Sequence, residues 1–576
     1  MKHPLTKLLV GLGVVTLLVH WGAVGNEFTY WDDWGYVELA NQHRLTWAGI
    51  KWAFTSTYIY YQPLTWLSHG LDCVLWGVMP AGHHAQSVVW HALNAVLVAG
   101  LAWQLSKWAA PWSETERLYF AGWVGIVFAV HPLQVEAVAW IAGRKTVLAA
   151  FFTLLAAMAY VRWANAEHER RWWWAMLGAY GLALLSKPMA VSLPVALVAL
   201  DIFPLRRVEV RGWFGIIREK WLLLLLAGIV GVATIIGQAE VGALTAVPLG
   251  PVERGLVAAR SLYFYLWKML FPVWLSPFYP LGEWNNYRQA EFVLPVVICF
   301  LIGGVAIALW RRAPQVAATG VGYLAFVLPV SGLFQAGGQA VADRFAYLPI
   351  VPVLLLCGGG LVVLRRQLAE KYRGVLGIVL GAHLLWLVAR TQQQIPVWHD
   401  SARMWQEVCD QISASTTEYG YAAAALTREK RYDEALIYAE QAYQLLPATA
   451  ADSREQVGKI FRDLAATFVE VRRFPECVLA GFRATELLPG DAVGHAALGL
   501  GLLKVGKPRE AVAPLERAVE LRGNLPAARY NLACAYAGTG RLEDAARVLA
   551  EAVALEPGLA GLAERDPALA RLREGK

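Results

Sequence analysis

The chain has 576 residues, of which 57% are apolar and only 16% charged, with a mean hydropathy of +0.42 and a formal net charge of +7. A soluble chain carries about 25% charged residues, so a purely soluble protein is excluded, and the length suggests more than one domain. The excess of Lys and Arg sits in short clusters between apolar runs, where it reads as a topology signal and not as a nucleic-acid-binding surface.

Taken in chain order, the first apolar run is Leu8–Val24, behind a basic start. No small-x-small cleavage site precedes the polar segment that follows, and the run is read as an uncleaved first span, with a cleaved signal peptide as the alternative. Apolar stretches of membrane-crossing length then recur. The expected spans are 7–24, 85–106, 118–133, 145–163, 172–187, 189–205, 221–238, 291–310, 316–334, 347–364 and 374–391. Five basic clusters separate them: Lys107/Arg117, Arg162/Arg170/Arg171, Arg206/Arg207/Arg211/Arg218/Lys220, Arg311/Arg312 and Arg365/Arg366/Lys371/Arg373. All five share one side if the N-terminus is cytoplasmic, and about 11 spans then put the C-terminal part on the other side. An apolar helix near 256–272 does not fit that count and is expected to be interfacial or re-entrant.

The loops opposite the basic clusters are long and rich in Trp, Tyr, His, Asp and Pro. The longest, about 25–84, contains FTYWDDWGY and YIYYQPLTW, and a loop of that length is usually functional or locally structured. Its adjacent carboxylates, Asp32 and Asp33, suit a general base, since two neighbouring acids push one pKa up; a solvated pair or a helix N-cap is the structural reading. HPLQVEAVAWIAGRK holds His131, Glu136, Arg144 and Lys145 at one membrane edge. Arg144 lies about two turns beyond Glu136 if 136–145 is helical, free to meet a phosphate bidentately or else paired with Glu136. Lys187 in LLSKPMAVSLP ends a span beside a proline, a position that also suits snorkelling. QAVADRFAYLP brings Asp343, Arg344 and Tyr347 into another outer loop. The sequence holds no HExxH and no GxSxG, and the glycines of FQAGGQA form no phosphate-binding loop. The adjacent His83 and His84 have no partner at metal-ligand spacing, the six cysteines are scattered with no C-x-x-C pair, and no metal ligand is assigned.

Beyond about His399 the chain reads as soluble helix. Leu464, Leu498 and Leu532 recur every 34 residues, as do the small residues Cys477, Ala511 and Ala545, and Ala484, Ala518 and Ala552. An earlier copy over about 417–447 carries Ala435, Ala442 and Pro447, offset by an insertion near 448–457. Period 34 with small residues at fixed helix positions is the tetratricopeptide pattern, and such an array forms a solenoid with a concave groove that either packs as a scaffold or captures a polypeptide. The expected layout is an all-α chain: a polytopic helical membrane domain over 1–398, a linker or helix over 399–416, and a tetratricopeptide-repeat domain over 417–576.

FTYWDDWGYV, YYQPLTWLSH, FAVHPLQVEAVAWIAGRKTVLAAFF, LLSKPMAVSLP and ADRFAYLP, followed by these repeats, resemble the transmembrane and tetratricopeptide-repeat O-mannosyltransferases and their bacterial relatives. The resemblance implies a C-type glycosyltransferase fold and a glycosyltransferase that moves a sugar, mannose or another hexose, from a polyprenyl-phosphate donor to an acceptor hydroxyl outside the cytoplasm. It assigns chemistry to Asp32, Asp33, His131 and Glu136 and donor-phosphate binding to Arg144, Lys187, Arg344 and Tyr347. It makes the lipid-linked sugar and an acceptor polypeptide the partners, the latter through the repeats, and a bacterial inner membrane with a periplasm-facing site the setting. A divalent metal is not supported by any motif. The rival expectations are a non-catalytic membrane scaffold and a polyprenyl-linked glycan ligase or flippase.

Overall fold

The computed structural model describes residues 4–57, 61–165, 169–240, 250–281, 290–333, 338–411, 414–447 and 451–574. Helices dominate throughout; among these residues the only strands are Tyr279–Pro280 and Gln339–Val341, paired antiparallel. The chain divides into two compact units, Met1–Gln411 and Ile412–Lys576.

Each of the eleven expected spans falls on a helix. Six helices are long and apolar enough to cross a membrane: Pro4–Gly25, Pro80–Ala109, Ile141–Asn165, Trp221–Ala239, Ile350–Gln367 and Glu370–Trp398. A seventh crossing arises if Glu114–Val130 and Pro132–Ala139, which meet at a 56° bend, count as one. The bend has a sequence cause. Ser113 and Glu116 form a capping box that opens the helix, and Pro132 forces His131 into an extended conformation that closes it. The other four expected spans are shorter helices, Arg170–Ser186, Pro188–Ile202, Val293–Ala308 and Pro314–Val330. The segment expected to be interfacial is a 20-residue helix, Pro251–Leu270, outside the set that meets the crossing criterion.

Pro80–Ala109 packs against Pro4–His20, Glu114–Val130 and Arg144–Asn165. Its buried alanines, Ala92, Ala95, Ala99 and Ala102, recur every three or four residues along one face, the small-residue stripe that lets membrane helices approach closely. A Cβ on Gly125 would lie 2.7 Å from Leu12 and 2.8 Å from Ala99, so three helices meet at that glycine. On the outside, Ile229, Val232 and Ile236 of the helix Trp221–Glu240 are more than half exposed. An apolar surface of that kind is stable only against lipid. The protein is a membrane protein.

The long loop 25–84 is locally structured, as expected: it holds the helices Asp33–His43, Trp47–Thr55 and Pro63–Trp76. Tyr58–Tyr60 of its second motif and residues 334–337 of FQAGGQA lie outside the described residues. The segment 399–416, read from sequence as a linker or helix, contains a helix in its first part. Ser401–Gln411 is a helix of the first unit, with Trp405 5.6 Å from the Trp31 ring and Ser401 accepting from the Tyr30 N–H at 2.7 Å.

The second unit contains four helix pairs, Thr416–Arg428/Tyr432–Gln444, Ala451–Glu470/Phe474–Leu487, Ala492–Lys504/Pro508–Leu521 and Pro526–Thr539/Leu542–Leu555, followed by short C-terminal helices. Ala435, Cys477, Ala511 and Ala545 are all fully buried, which is why only small residues recur there. The unit is a tetratricopeptide-repeat array.

Candidate functional site

The sequence places two carboxylates side by side, and the fold separates their roles. Asp33 is fully buried; its Oδ2 accepts from the Thr29 N–H and hydroxyl and its Oδ1 from the Ala142 N–H, each at 2.9 Å. It therefore fastens the loop after the first span to the turn at Trp140–Gly143. Burial raises its pKa to about 7, against the three donors, which lower it. Asp32 is half-buried at the N-cap of Asp33–His43 and makes no capping hydrogen bond with its side chain. Of the pair, Asp32 is the one open to a substrate.

That turn also corrects the expected path of Arg144. Residues 136–145 are not one helix: Val135–Ala139 ends at Trp140, whose backbone is extended at φ −92°, ψ 125°, and a tight turn follows. Gly143 is required there, since a Cβ would come within 2.8 Å of the Ala137 carbonyl and 2.9 Å of that of Glu136. The turn aims Arg144 inward. It is fully buried, with four hydrogen bonds and one ion pair to its guanidinium. They reach Ser87 Oγ, Ser68 Oγ, Gln86 Oε1, the His83 carbonyl and Asp72 Oδ2. Arg144 thus pairs with Asp72 and not with Glu136.

Glu136 pairs instead with Arg344, whose backbone N–H and guanidinium both donate to its carboxylate. Arg344 follows the strand Gln339–Val341, and its guanidinium carbon sits 5.0 Å from the Trp140 ring centre and 4.9 Å from that of Phe345. The same two rings collect two further cations. Lys145 Nζ lies 5.4 Å from the Trp140 centre, and Lys187 Nζ lies 5.3 Å from that of Phe345. Lys145 also donates to Tyr36 Oη and Lys187 to Thr146 Oγ1, both at 3.0 Å. Three basic side chains thus flank two aromatic rings, and one of them, Arg344, pairs with a carboxylate, a grouping that can meet an anion. Trp31, next to Asp32, stacks on Trp140 at 5.2 Å, and Trp398 stacks on the same ring at 5.7 Å. The Trp140 indole N–H is buried with no acceptor among the described residues, a donor left for a ligand.

Two other expected site residues are structural. His131 donates from Nε2 to the Met269 carbonyl and accepts at Nδ1 from the Leu133 N–H, so neither ring nitrogen remains for chemistry. Tyr347 is buried in the bundle. Its hydroxyl donates to His91 Nδ1, whose Nε2–H is taken by the Ala129 carbonyl, and accepts from Asn94. Asp343 accepts from the Tyr279 hydroxyl at 3.0 Å, and burial followed by the Glu136 charge raises its pKa to about 8. The residues that sequence reasoning passed over are Trp140 and Phe345. Their signal was slight: aromatics one to four residues from a basic side chain, in a chain with 26 tryptophans.

A cavity of about 600 Å³ opens among Pro80–Ala109, Glu114–Val130, Leu193–Ile202, Pro314–Val327 and Ile350–Gln367. Leu105, Phe120, Leu197, Phe326 and Leu355 are typical of its apolar wall, which also takes in Leu348, four residues after Arg344.

No protein-family model matches the chain. The chain is similar to "Protein O-mannosyl-transferase Tmtc3" of Drosophila melanogaster, 22% identical over 77% of this chain and 54% of that one. It is similar to the human "Protein O-mannosyl-transferase TMTC4" at 26% identity, over 58% of this chain and 51% of that one. A shorter stretch matches mouse "Protein O-mannosyl-transferase TMTC2" at 30% identity, over 26% and 18% of the two chains. The chain spans about half the length of the first two relatives. Among solved structures, "YrrB: a TPR protein with an unusual peptide-binding site" matches at 21% identity with a TM-score of 0.24, covering 34% of this chain and 89% of that one.

Proposed function

We propose that this relative of the transmembrane and tetratricopeptide-repeat O-mannosyltransferases transfers a sugar from a polyprenyl-phosphate donor to a protein hydroxyl. The observation that carries the reading is the convergence of Lys145, Lys187 and Arg344 on Trp140 and Phe345, with Asp32 held beside the same aromatic stack through Trp31. The cations neutralise the charge that develops on the departing lipid phosphate. The apolar cavity offers surface for the isoprenoid tail. Glu136 positions Arg344, and Asp33 positions the loop that carries Asp32.

In this mechanism an acceptor hydroxyl of Ser or Thr attacks the anomeric carbon. The new carbon–oxygen bond forms as the bond to phosphate breaks, polyprenyl phosphate leaves with the electron pair, and the hydroxyl proton passes to the Asp32 carboxylate. One displacement inverts the anomeric centre and needs no protein nucleophile. The repeats bind the acceptor polypeptide. The site and the repeats face the periplasm of a bacterial inner membrane, the orientation that the five basic clusters favour.

The test is transfer by the purified chain. With a synthetic polyprenyl-phosphate mannose and a Ser/Thr-rich peptide, mass spectrometry should detect a hexose on the peptide with wild type and none with Asp32→Asn. Equal transfer by both proteins, or transfer from a sugar nucleotide alone, would reject the reading.

A further inference from the structure

We propose that His69, Asp72 and His83 form a zinc-type cation site that staples the helix Pro63–Trp76 to the start of Pro80–Ala109. The three side chains are fully buried, and one ligand atom from each lies within 4.8 Å of the others. His69 and Asp72 stand three residues apart and so share one helix face. His83 approaches from the next helix, its ring 6.3 Å from that of His69.

The hydrogen bonds point to a missing cation. His83 Nε2 is 3.0 Å from the Gly77 carbonyl and must carry its proton there, which leaves a lone pair on Nδ1 in the neutral ring. That nitrogen lies 3.3 Å from Asp72 Oδ2. Arg144, 2.9 Å from the same Oδ2, supplies positive charge beside the pair but leaves the buried His83 Nδ1 itself without a hydrogen-bond partner among the described residues. Two imidazole or carboxylate ligands at about 2.0–2.1 Å from a tetrahedral ion are themselves roughly 3.3 Å apart, the separation seen. A proton on His83 would satisfy that pair alone. It would leave His69 bare: neither of its ring nitrogens has a hydrogen-bond partner among the described residues although the residue is fully buried. Asp72 Oδ1 also lacks a donor.

Arg144 occupies Asp72 Oδ2 at 2.9 Å, as the outer partner of a ligating carboxylate commonly does. Two imidazoles and a carboxylate suit a borderline dication better than Mg²⁺ or Ca²⁺. Because Arg144 precedes Lys145, the ion fixes the base of the cationic constellation while touching no substrate. The inference does not depend on the proposed transfer chemistry.

The experiment uses the full chain, expressed in zinc-supplemented cells and purified in detergent without a histidine tag. Elemental analysis should find about one zinc per chain. Removal by chelator should lower the melting temperature, and zinc should restore it. Co²⁺ added to the stripped protein should give the visible absorption of a tetrahedral nitrogen/oxygen site. His69→Ala and His83→Ala should each weaken Zn²⁺ binding by at least about a hundredfold. His69→Gln, which keeps side-chain volume, serves if the alanine variant does not fold. Stripped wild type that shows neither zinc affinity at micromolar concentration nor a Co²⁺ spectrum would overturn the site, as would unchanged affinity in the His69 and His83 variants.

Discussion

Asp32 and Asp33 differ by one position and by nearly everything else. Asp33 spends both oxygens on Thr29 and Ala142, so Asp33→Asn should act first on the fold. Its raised pKa gives the sign. A carboxyl lifted from 3.8 to about 7 contributes stability that is present in full below the unfolded pKa and lost as pH rises through the folded one. The wild-type melting temperature should therefore fall between pH 4 and 7 more steeply than that of Asp33→Asn, and equal slopes would show that Asp33 does not titrate in that window. Asp32→Asn should leave the melting temperature alone and cut single-turnover transfer by about a hundred- to ten-thousand-fold. Arg144 and Lys187, both expected from sequence to meet the donor phosphate, should now separate. Arg144→Met strips a buried counter-charge from Asp72 and should cost about 3–5 kcal/mol of stability, while the surviving protein holds donor affinity within about threefold. Lys187→Met should keep its stability and weaken donor binding about ten- to a hundredfold, the worth of one charge-assisted contact. Melting curves and donor titrations on the same preparations would decide, and the reverse pattern would restore Arg144 to the site.

At the scale of elements, the repeats make the sharpest forecast. A Cβ on Gly499 would stand 2.3 Å from Leu515 Cγ, a side chain with no exposure, whereas one on Gly490 would meet nothing within 4 Å. Gly499→Ala should destabilise the second unit by about 1–3 kcal/mol through overpacking, and Gly490→Ala should not. Chemical denaturation followed by circular dichroism would test this, and equal midpoints would contradict the close pairing of Ala492–Lys504 with Pro508–Leu521. These repeats were legible because small residues recur at a fixed period wherever two helices touch. The spans were legible for a comparable reason: the bilayer imposes a length and an apolar composition that a sequence must display. What the sequence hid was direction. Glu136 and Arg144 look like partners eight residues apart, yet the extended Trp140 and the tight turn at Gly143 send them to opposite neighbours. Asp72, the true partner of Arg144, comes from a helix inside the long outer loop, and no local periodicity links two such distant segments. The motif position of Tyr347 says nothing about depth, and only the packed bundle reveals His91 and Asn94 around its hydroxyl.

At the scale of the whole molecule, the division of the chain is itself a statement about where specificity resides. The constellation of Asp32, Lys145, Lys187 and Arg344 lies wholly within Met1–Gln411, and the repeats form a unit of their own from Ile412. Charge and aromatic contacts in the first unit suit the donor, which is small at its reacting end. They offer little that distinguishes one polypeptide from another. If the proposed function holds, a solenoid groove that binds extended chain, tethered to the first unit, would raise the local concentration of acceptor to roughly the millimolar range. A shortened chain ending at Gln411 should therefore bind donor as wild type does and glycosylate a short Ser/Thr peptide at an unchanged maximal rate. On a long unstructured acceptor it should need at least about tenfold more substrate to reach half-maximal rate, with kcat preserved, because the repeats contribute binding to ground state and transition state alike. Adding the separate repeat unit in trans should not rescue the loss, since the effect comes from tethering. If the shortened chain handled long acceptors with unchanged KM, the groove would have no part in acceptor capture. If it lost donor binding as well, the division of labour between the two units would be wrong.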